Sequence, residues 1–191
     1  WVWGGGWVME LGNWLGMPGV IDYAGGTAVH INAGAAALAL AIVLGKRFGF
    51  AKGIMQPHNV PLVLLGAALL WFGWFGFNVG AEFLNGMANV GLITVNTLGA
   101  TAAAILGWLV IEKVKEGKAT SIGAASGAVA GLVAITPACA NVTPLFALIL
   151  GVLAGVLSAL AVDLKFKLGY DDSLDVVGIH LVSGLIGTLF L

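Results

Sequence analysis

Six long apolar segments run through this chain and decide what it can fold into. They lie near residues 24–45, 60–84, 90–112, 120–140, 144–164 and 174–191. A helix needs roughly 20 apolar residues to cross a hydrocarbon layer about 30 Å thick, and each segment comes close to that length or exceeds it. The pattern therefore predicts an all-α polytopic membrane protein.

The composition agrees with a lipid environment. Of the 191 residues 60% are hydrophobic and 9% are charged, whereas soluble domains carry about 25% charged residues. There are 30 glycines, many of them inside the apolar segments, where small residues let helices pack closely in lipid. We expect one membrane domain over residues 1–191. Residues 1–9 read as the end of one further helix, and both ends of the sequence are expected to be truncated.

The basic residues predict the orientation of the helices. All eight follow the first, third or fifth segment: Lys46, Arg47, Lys52, Lys113, Lys115, Lys118, Lys165 and Lys167. By the positive-inside rule these three connections are cytoplasmic, so odd segments run inward and even segments run outward. The outer connections contain only acidic charges, Glu10, Asp22 and Glu82, which favour cations over anions at that face.

Two histidines are predicted to meet in the middle of the membrane. His30 and His180 each follow an aspartate by eight residues, Asp22 and Asp172, in segments that run in opposite directions. Eight helical residues rise about 12 Å, which brings both imidazoles close to the midplane. Ionisable groups at that depth usually mark a path for an ion or proton. The matched spacing on antiparallel segments is also what an inverted repeat would leave.

The second segment contains a dense aromatic stretch, LLWFGWFGFNVGAEF, at residues 69–83. Trp74, Phe77 and Ala81 are spaced to share one helical face, and we place Trp74 and Ala81 nearer the outside, with Phe77 one turn deeper. An indole face attracts a cation by roughly 0.5–2 kcal/mol, whereas phenylalanine offers an ion no polar ligand. The face could therefore recruit a small cation and refuse it passage as an ion; the alternative is an ordinary aromatic belt.

The remaining motifs restrict the function classes. The sequence contains no GxGxxG, P-loop, HExxH or CxxC pattern, and its basic residues are too few for nucleic acid. We expect a protein that is not an enzyme, with no cofactor, metal or nucleic-acid partner. Two alternatives stay open: a redox subunit that binds haem through His30 and His180, and a sensor built on the same pore. For Asp22 a helix-capping role is favoured over substrate binding, and Asp175 is expected to orient the start of the sixth segment.

Several of these stretches together resemble the ammonium transporter family. The matching motifs are WGGG at 3–6, DYAGGTAVHINAG at 22–34, GKR at 45–47, PHNVP at 57–61, WFGWFGFNVG at 71–80, ITPACA at 135–140 and DDSLDVVGIH at 171–180. The likeness extends over the whole chain and is greater to the bacterial-type ammonium transporters than to the Rhesus branch. It implies part of an eleven-helix inverted-repeat fold, from the end of the fourth helix into the tenth.

The resemblance also implies partners and a location. Members of the family are multi-pass proteins of the cell membrane and assemble as homotrimers with a pore in each subunit. Ammonium or ammonia is the implied substrate, and a cytoplasmic nitrogen-regulatory signalling protein is an implied partner beside the membrane lipid.

Seven residues take a role from the resemblance. His30 and His180 hold the twin-histidine positions of the pore. The others match the two aromatic positions of the outer ammonium site, the inner phenylalanine of the gate, a pore-side threonine and the structural aspartate of the vestibule, namely Trp3 and Trp74, Phe77, Thr136 and Asp22.

One departure concerns the outer site: the family has a serine where this chain has Ala81, so one acceptor for ammonium is missing. The implied mechanism recruits ammonium outside, removes a proton, and passes ammonia by Phe77 and the histidine pair.

Overall fold

Residues 1–50 and 57–191 are described by the computed structural model, and these residues form helices joined by short turns and contain no β-strand. Lys52, one of the basic residues used to orient the chain, lies outside them. The helices are α1 (Trp7–Trp14), α2 (Gly26–Leu44), α3 (Val60–Asn78), α4 (Val90–Glu116), α5 (Ser121–Ile135), α6 (Pro144–Ala161), α7 (Leu164–Leu168) and α8 (Val177–Leu189). A 3₁₀ helix, Gly80–Asn85, continues the direction of the chain after α3.

Each of the six apolar segments corresponds to one of the helices α2, α3, α4, α5, α6 and α8, and α4 continues beyond its segment to Glu116. Within the described residues, four helical stretches are long and apolar enough to cross a membrane: Gly26–Leu44, Val60–Phe83, Val90–Glu116 and Pro144–Leu168. The prediction of a polytopic all-α protein is confirmed. Residues 1–6 differ from the expected helix end, because the glycine run forms turns there and Gly5 has a positive φ of 72°, a conformation that glycine adopts without strain.

The helices α5 and α8 are shorter than their apolar segments. α5 ends at Ile135 because Pro137 lacks an N–H and restricts the residue before it. α8 starts at Val177, after Asp175 has turned the chain with a left-handed φ of 58°. Residues 136–139 are therefore buried in turns rather than in a helix, whereas Leu174, before α8, is exposed.

The ends of the helices support the predicted orientation. Arg47, just after α2, pairs with Asp171, just before α8. Lys115, near the end of α4, pairs with Asp163, between α6 and α7. The C-terminal ends of α4 and α6 therefore meet, and the end of α2 meets the start of α8, as expected if these ends lie on the cytoplasmic side.

The centre of the bundle is formed by α4, α5 and α6, which touch through glycine and alanine. A Cβ atom on Gly151 would overlap the carbonyl group of Ala100, and one on Gly155 would overlap the carbonyl group of Ala104. Backbones this close gain van der Waals contact that larger side chains would prevent. The many glycines are thus used for helix contact.

Gly155→Ala is expected to destabilise the α4–α6 contact. Because the added methyl group meets backbone atoms, the helices must separate, and overpacking of this kind costs about 1–3 kcal/mol. The measurement is the thermal unfolding midpoint of the purified protein in detergent. Gly91→Ala is the matched control, since a Cβ at Gly91 of α4 has no atom within 4 Å. Equal midpoints for the two variants would contradict this account of the packing.

Candidate pore site

Both intramembrane histidines lie in π-helical turns that open their helices. His30 belongs to the turn Gly26–Ile31 and His180 to the turn Val177–Leu181. π turns are rare and are frequently found at functional sites, because the extra residue per turn shifts side chains out of the regular helical register. Each of the two histidines therefore lies in a π turn at the start of its helix, and the two helices run in opposite directions.

Asp22 holds the first of these turns in place. Its Oδ1 accepts hydrogen bonds from the backbone N–H groups of Gly25 (3.1 Å) and Gly26 (2.5 Å), and its Oδ2 accepts from Thr27 and Ala28 (3.0 Å each). Four N–H groups at the start of a helix have no partner within the helix. The carboxylate of Asp22 satisfies them, which supports the structural role expected for it.

The helices α2 and α8 cross at two glycines. A Cβ on Gly34 would overlap Leu181, and a Cβ on Gly184 would lie 3.3 Å from the Cβ of His30. Larger residues at either glycine would force the helices apart. The crossing fixes the distance between the two imidazoles.

The two imidazoles are in direct contact. Nδ1 of His30 and Nδ1 of His180 are 3.3 Å apart, with ring centroids at 5.4 Å and planes tilted by 40°. One Nδ1 must donate and the other accept, so the contact is made when at least one ring is neutral. A haem would require an iron between the two nitrogens, and this separation leaves no room for it. The geometry therefore opposes the haem alternative.

An aromatic wall faces His30. The rings of Trp74 and Phe77 stack on its imidazole, with centroids at 5.2 and 5.5 Å. The indole Nε1 of Trp74 donates to Oγ1 of Thr136 (2.9 Å), which in turn donates to the carbonyl oxygen of Leu132 (2.7 Å). This chain of hydrogen bonds fixes the indole against the histidine. Nε2 of His30 is buried and has no hydrogen-bond partner in the described part of the chain.

The order of Trp74 and Phe77 along α3 differs from the depth expected for them. Arg47 and the first turns of α3 line one cavity, and with this end on the cytoplasmic side, as the basic residues predict, Phe77 lies one turn nearer the outside than Trp74. Trp74 is 6% exposed and contacts His30, so its contacts favour a place in the pore wall over the expected outer cation site.

Trp3 lies in the turns before α1, at the end of the molecule that is predicted to face outward. It is 55% exposed, and its indole Nε1 donates to the backbone carbonyl of Asp22 (2.8 Å). Its ring also approaches Gly25, at the start of α2. Ala81, in the 3₁₀ helix after α3, is partly buried against the core near Cys139.

The cytoplasmic end holds a cavity of about 530 Å³, lined among others by Arg47, Ser126 and Asp175. Nε and Nη2 of Arg47 donate to Asp171 (2.8 and 2.6 Å), and these hydrogen bonds lower the pKa of the Asp171 carboxyl below its usual range. The ion pair joins the connections after α2 and before α8. We refer to this cavity as the inner mouth.

Asp175 is tied to this inner mouth. Its Oδ1 accepts a hydrogen bond from Nζ of Lys165 (2.5 Å), and its carbonyl oxygen accepts from Ile179 (2.8 Å) in the π turn of His180. Burial raises the pKa of the Asp175 carboxyl above its usual range, although the hydrogen bond from Lys165 acts in the other direction. These contacts support the expected role at the start of α8.

Sequence reasoning missed three features of the site: the π turns, the bond from Trp74 to Thr136, and the ion pair of Arg47 with Asp171. Two of them join residues far apart in sequence and leave no local pattern. The first π turn does carry a signal, because Gly25 has a φ of 123° and the pair Gly25-Gly26 precedes an apolar run.

The geometry defines a class of protein: a multi-pass membrane protein in which a histidine pair contacts an aromatic wall. A family model described as the Ammonium Transporter Family matches residues 1–191, and the chain belongs to that family. Its localisation is accordingly a cell membrane.

Individual relatives agree with this assignment. An ammonium transporter of Mycobacterium tuberculosis is 64% identical over 186 residues, which are 96% of this chain and 39% of the relative. The crystal structure of Saccharomyces cerevisiae Mep2 matches with a TM-score of 0.84 and 42% identity, over 96% of this chain and 41% of that one. A structure named Sensor Amt Protein matches with a TM-score of 0.84 and 35% identity, over 99% and 48%. The chain thus spans about two-fifths of the length of the curated relative.

Proposed function

We propose that this chain forms part of a transporter that conducts ammonium nitrogen across the membrane as ammonia. The observation that carries the proposal is the direct contact of His30 and His180 inside an apolar wall. An imidazole pair in a dry pore offers hydrogen bonds to a small neutral molecule and no shell of ligands to a metal cation. The identity to an ammonium transporter of M. tuberculosis supports the choice of substrate.

Such a pore must distinguish ammonium from potassium. Potassium and ammonium have the same charge and similar size, so a hydrated pore would pass both. A narrow apolar passage excludes both ions because a bare charge in hydrocarbon costs several kcal/mol. Ammonium alone can leave its proton behind. Ammonia then reaches the free Nε2 of His30 and exchanges hydrogen bonds with the pair.

The aromatic residues have separate roles in the proposed selection of ammonium. Trp3 holds the cation at the outer mouth through its exposed ring. Phe77 closes the passage beneath it, and Trp74 forms the wall of the pore beside His30. A cation-holding role for Trp74 remains a prediction, and its buried position makes it a smaller contribution than that of Trp3.

Uptake of labelled methylammonium tests the proposal. The complete gene product that carries this chain is expressed in cells that lack ammonium transport. Saturable uptake that ammonium inhibits, and that equal potassium leaves unchanged, is the expected result. Uptake no faster than in cells with an empty vector would overturn it.

Assembly and regulation belong to the same proposal. The family likeness supports a homotrimer with one pore in each subunit, and the cytoplasmic mouth at Arg47 and Asp175 is the face that a nitrogen-regulatory signalling protein would reach. Sensing is the second candidate, favoured by the likeness to the Sensor Amt Protein. Ammonium binding without net uptake would support sensing over transport.

Ala81→Ser is expected to raise the apparent affinity for methylammonium. The hydroxyl group adds one acceptor at the outer mouth, worth about 0.5–1.5 kcal/mol net, while the passage at Phe77 and the histidines is unchanged. The half-saturation constant should therefore fall a few-fold and the maximal rate should stay the same. An unchanged constant would show that position 81 does not face the substrate or that other groups already supply the acceptor.

A further inference from the structure

Glu82 is a buried acidic residue to which the proposed pore mechanism assigns no role. It lies in the 3₁₀ helix after α3, and its side chain is fully buried. Oε1 accepts a hydrogen bond from the backbone N–H of Asn89 (2.9 Å), whereas Oε2 accepts none from the part of the chain that the structure describes. Buried polar atoms without partners are uncommon, and each requires an explanation.

The comparison with Asp22 shows how unusual this carboxylate is. Asp22 is buried at the same end of the molecule and receives four backbone hydrogen bonds, whereas Glu82 receives one. No lysine or arginine occurs in the outer connections of the sequence. The charge of Glu82 is therefore left without a basic neighbour on its own side of the membrane.

The 3₁₀ helix that contains Glu82 is connected to the residues that hold Trp3. Asn85, in the same 3₁₀ helix, donates from Nδ2 to the hydroxyl of Tyr23 (3.2 Å). Tyr23 follows Asp22, whose carbonyl oxygen accepts the indole N–H of Trp3. Glu82 also lies five residues beyond Phe77 in the outward direction, which corresponds to about 8–10 Å along a helix of this kind. The helix that carries Glu82 is thus joined to the residues that hold Trp3 and lies beyond Phe77 along the chain.

We propose that Glu82 is the residue that sets the affinity of the outer mouth for monovalent cations. It does not touch the cation; its negative charge, weakly screened in a buried position, attracts ammonium to the ring of Trp3. Its charge provides an attraction for ammonium that Ala81, which has no hydrogen-bond acceptor in its side chain, does not provide. This inference rests on the proposed function and names a positioning residue for it.

Glu82→Gln in the complete gene product tests the inference. The amide has the same shape and still accepts the hydrogen bond of Asn89, and it removes a buried charge without a basic neighbour. The half-saturation constant for methylammonium should rise on the order of fivefold, as expected for loss of one weakly screened charge. The maximal rate and the amount of protein in the membrane should not fall.

Glu10→Gln is the matched control. Glu10 is an outer carboxylate of α1 that bonds the side chain of Asn13 at the surface, where solvent and salt screen its charge. The half-saturation constant of the Glu10→Gln variant for methylammonium should change less than twofold. Glu82→Asp, which keeps the charge, should also remain within about twofold of the parent, on the same electrostatic argument.

Each other outcome contradicts the inference. An unchanged half-saturation constant in Glu82→Gln would show that the charge does not reach the mouth. Loss of the protein from the membrane, or a lower maximal rate at constant affinity, would show that Glu82 serves the fold instead. Both results would leave saturable uptake by the parent, and with it the proposed function, intact; absence of uptake by the parent would overturn the proposed function itself.

Discussion

His30→Ala should reduce selective methylammonium uptake by at least about tenfold while the protein still inserts in the membrane. A factor of ten corresponds to about 1.4 kcal/mol in the barrier, and the loss of a hydrogen bond to ammonia in a dry pore is of that order or larger. The variant also opens space beside Trp74 and Phe77, which stack on this ring. Initial uptake rates and membrane amounts are the measurements.

His180→Ala should have a similar effect, because the two rings act as one hydrogen-bonded pair. His58→Ala provides the control: His58 is exposed in the connection before α3 and should tolerate alanine with no change in uptake. Normal uptake and normal discrimination against potassium in both pore variants would remove the histidines from the mechanism.

Asp22→Ala should have the largest effect on stability. The substitution leaves four N–H groups at the start of α2 without their acceptor. A single capping side chain is worth about 1–2 kcal/mol, and a buried carboxylate that serves four donors should contribute about 3 kcal/mol or more. Thermal unfolding of the purified protein in detergent measures the loss.

Asp22→Asn should lie between the parent and Asp22→Ala, because the amide keeps one acceptor oxygen. Glu10→Ala, at a surface carboxylate of the same face, should leave the unfolding midpoint within experimental error. A midpoint of Asp22→Ala equal to that of the parent would contradict the capping role. Stable protein with poor uptake would instead place Asp22 in the transport path.

The sequence predicts the fold well because its strongest signal is hydropathy. Six apolar segments correspond to six helices, and the positions of lysine and arginine give their direction. The errors fall where a single residue overrides the apolar pattern. Pro137 ends α5 early, and the left-handed Asp175 delays α8.

The site could be predicted in part. Equal spacing from Asp22 and Asp172 placed both histidines at one depth, and the structure brings them into contact. Helical periodicity showed that Trp74 and Phe77 share a face, but it carries no information on depth. That depends on the direction of α3, which puts the later residue further out. The bond from Trp74 to Thr136 joins residues 62 positions apart and follows only from the packing of α3 against α5.

A dry histidine-lined pore should pass ammonia and exclude ions. The most direct test reconstitutes the complete gene product in vesicles and compares flux under equal gradients of ammonium and potassium at one pH. The account predicts rapid ammonium-driven flux and potassium flux no higher than in vesicles without protein. Potassium flux comparable to that of ammonium would contradict it, because a pore that conducts a bare potassium ion cannot select by removing a proton.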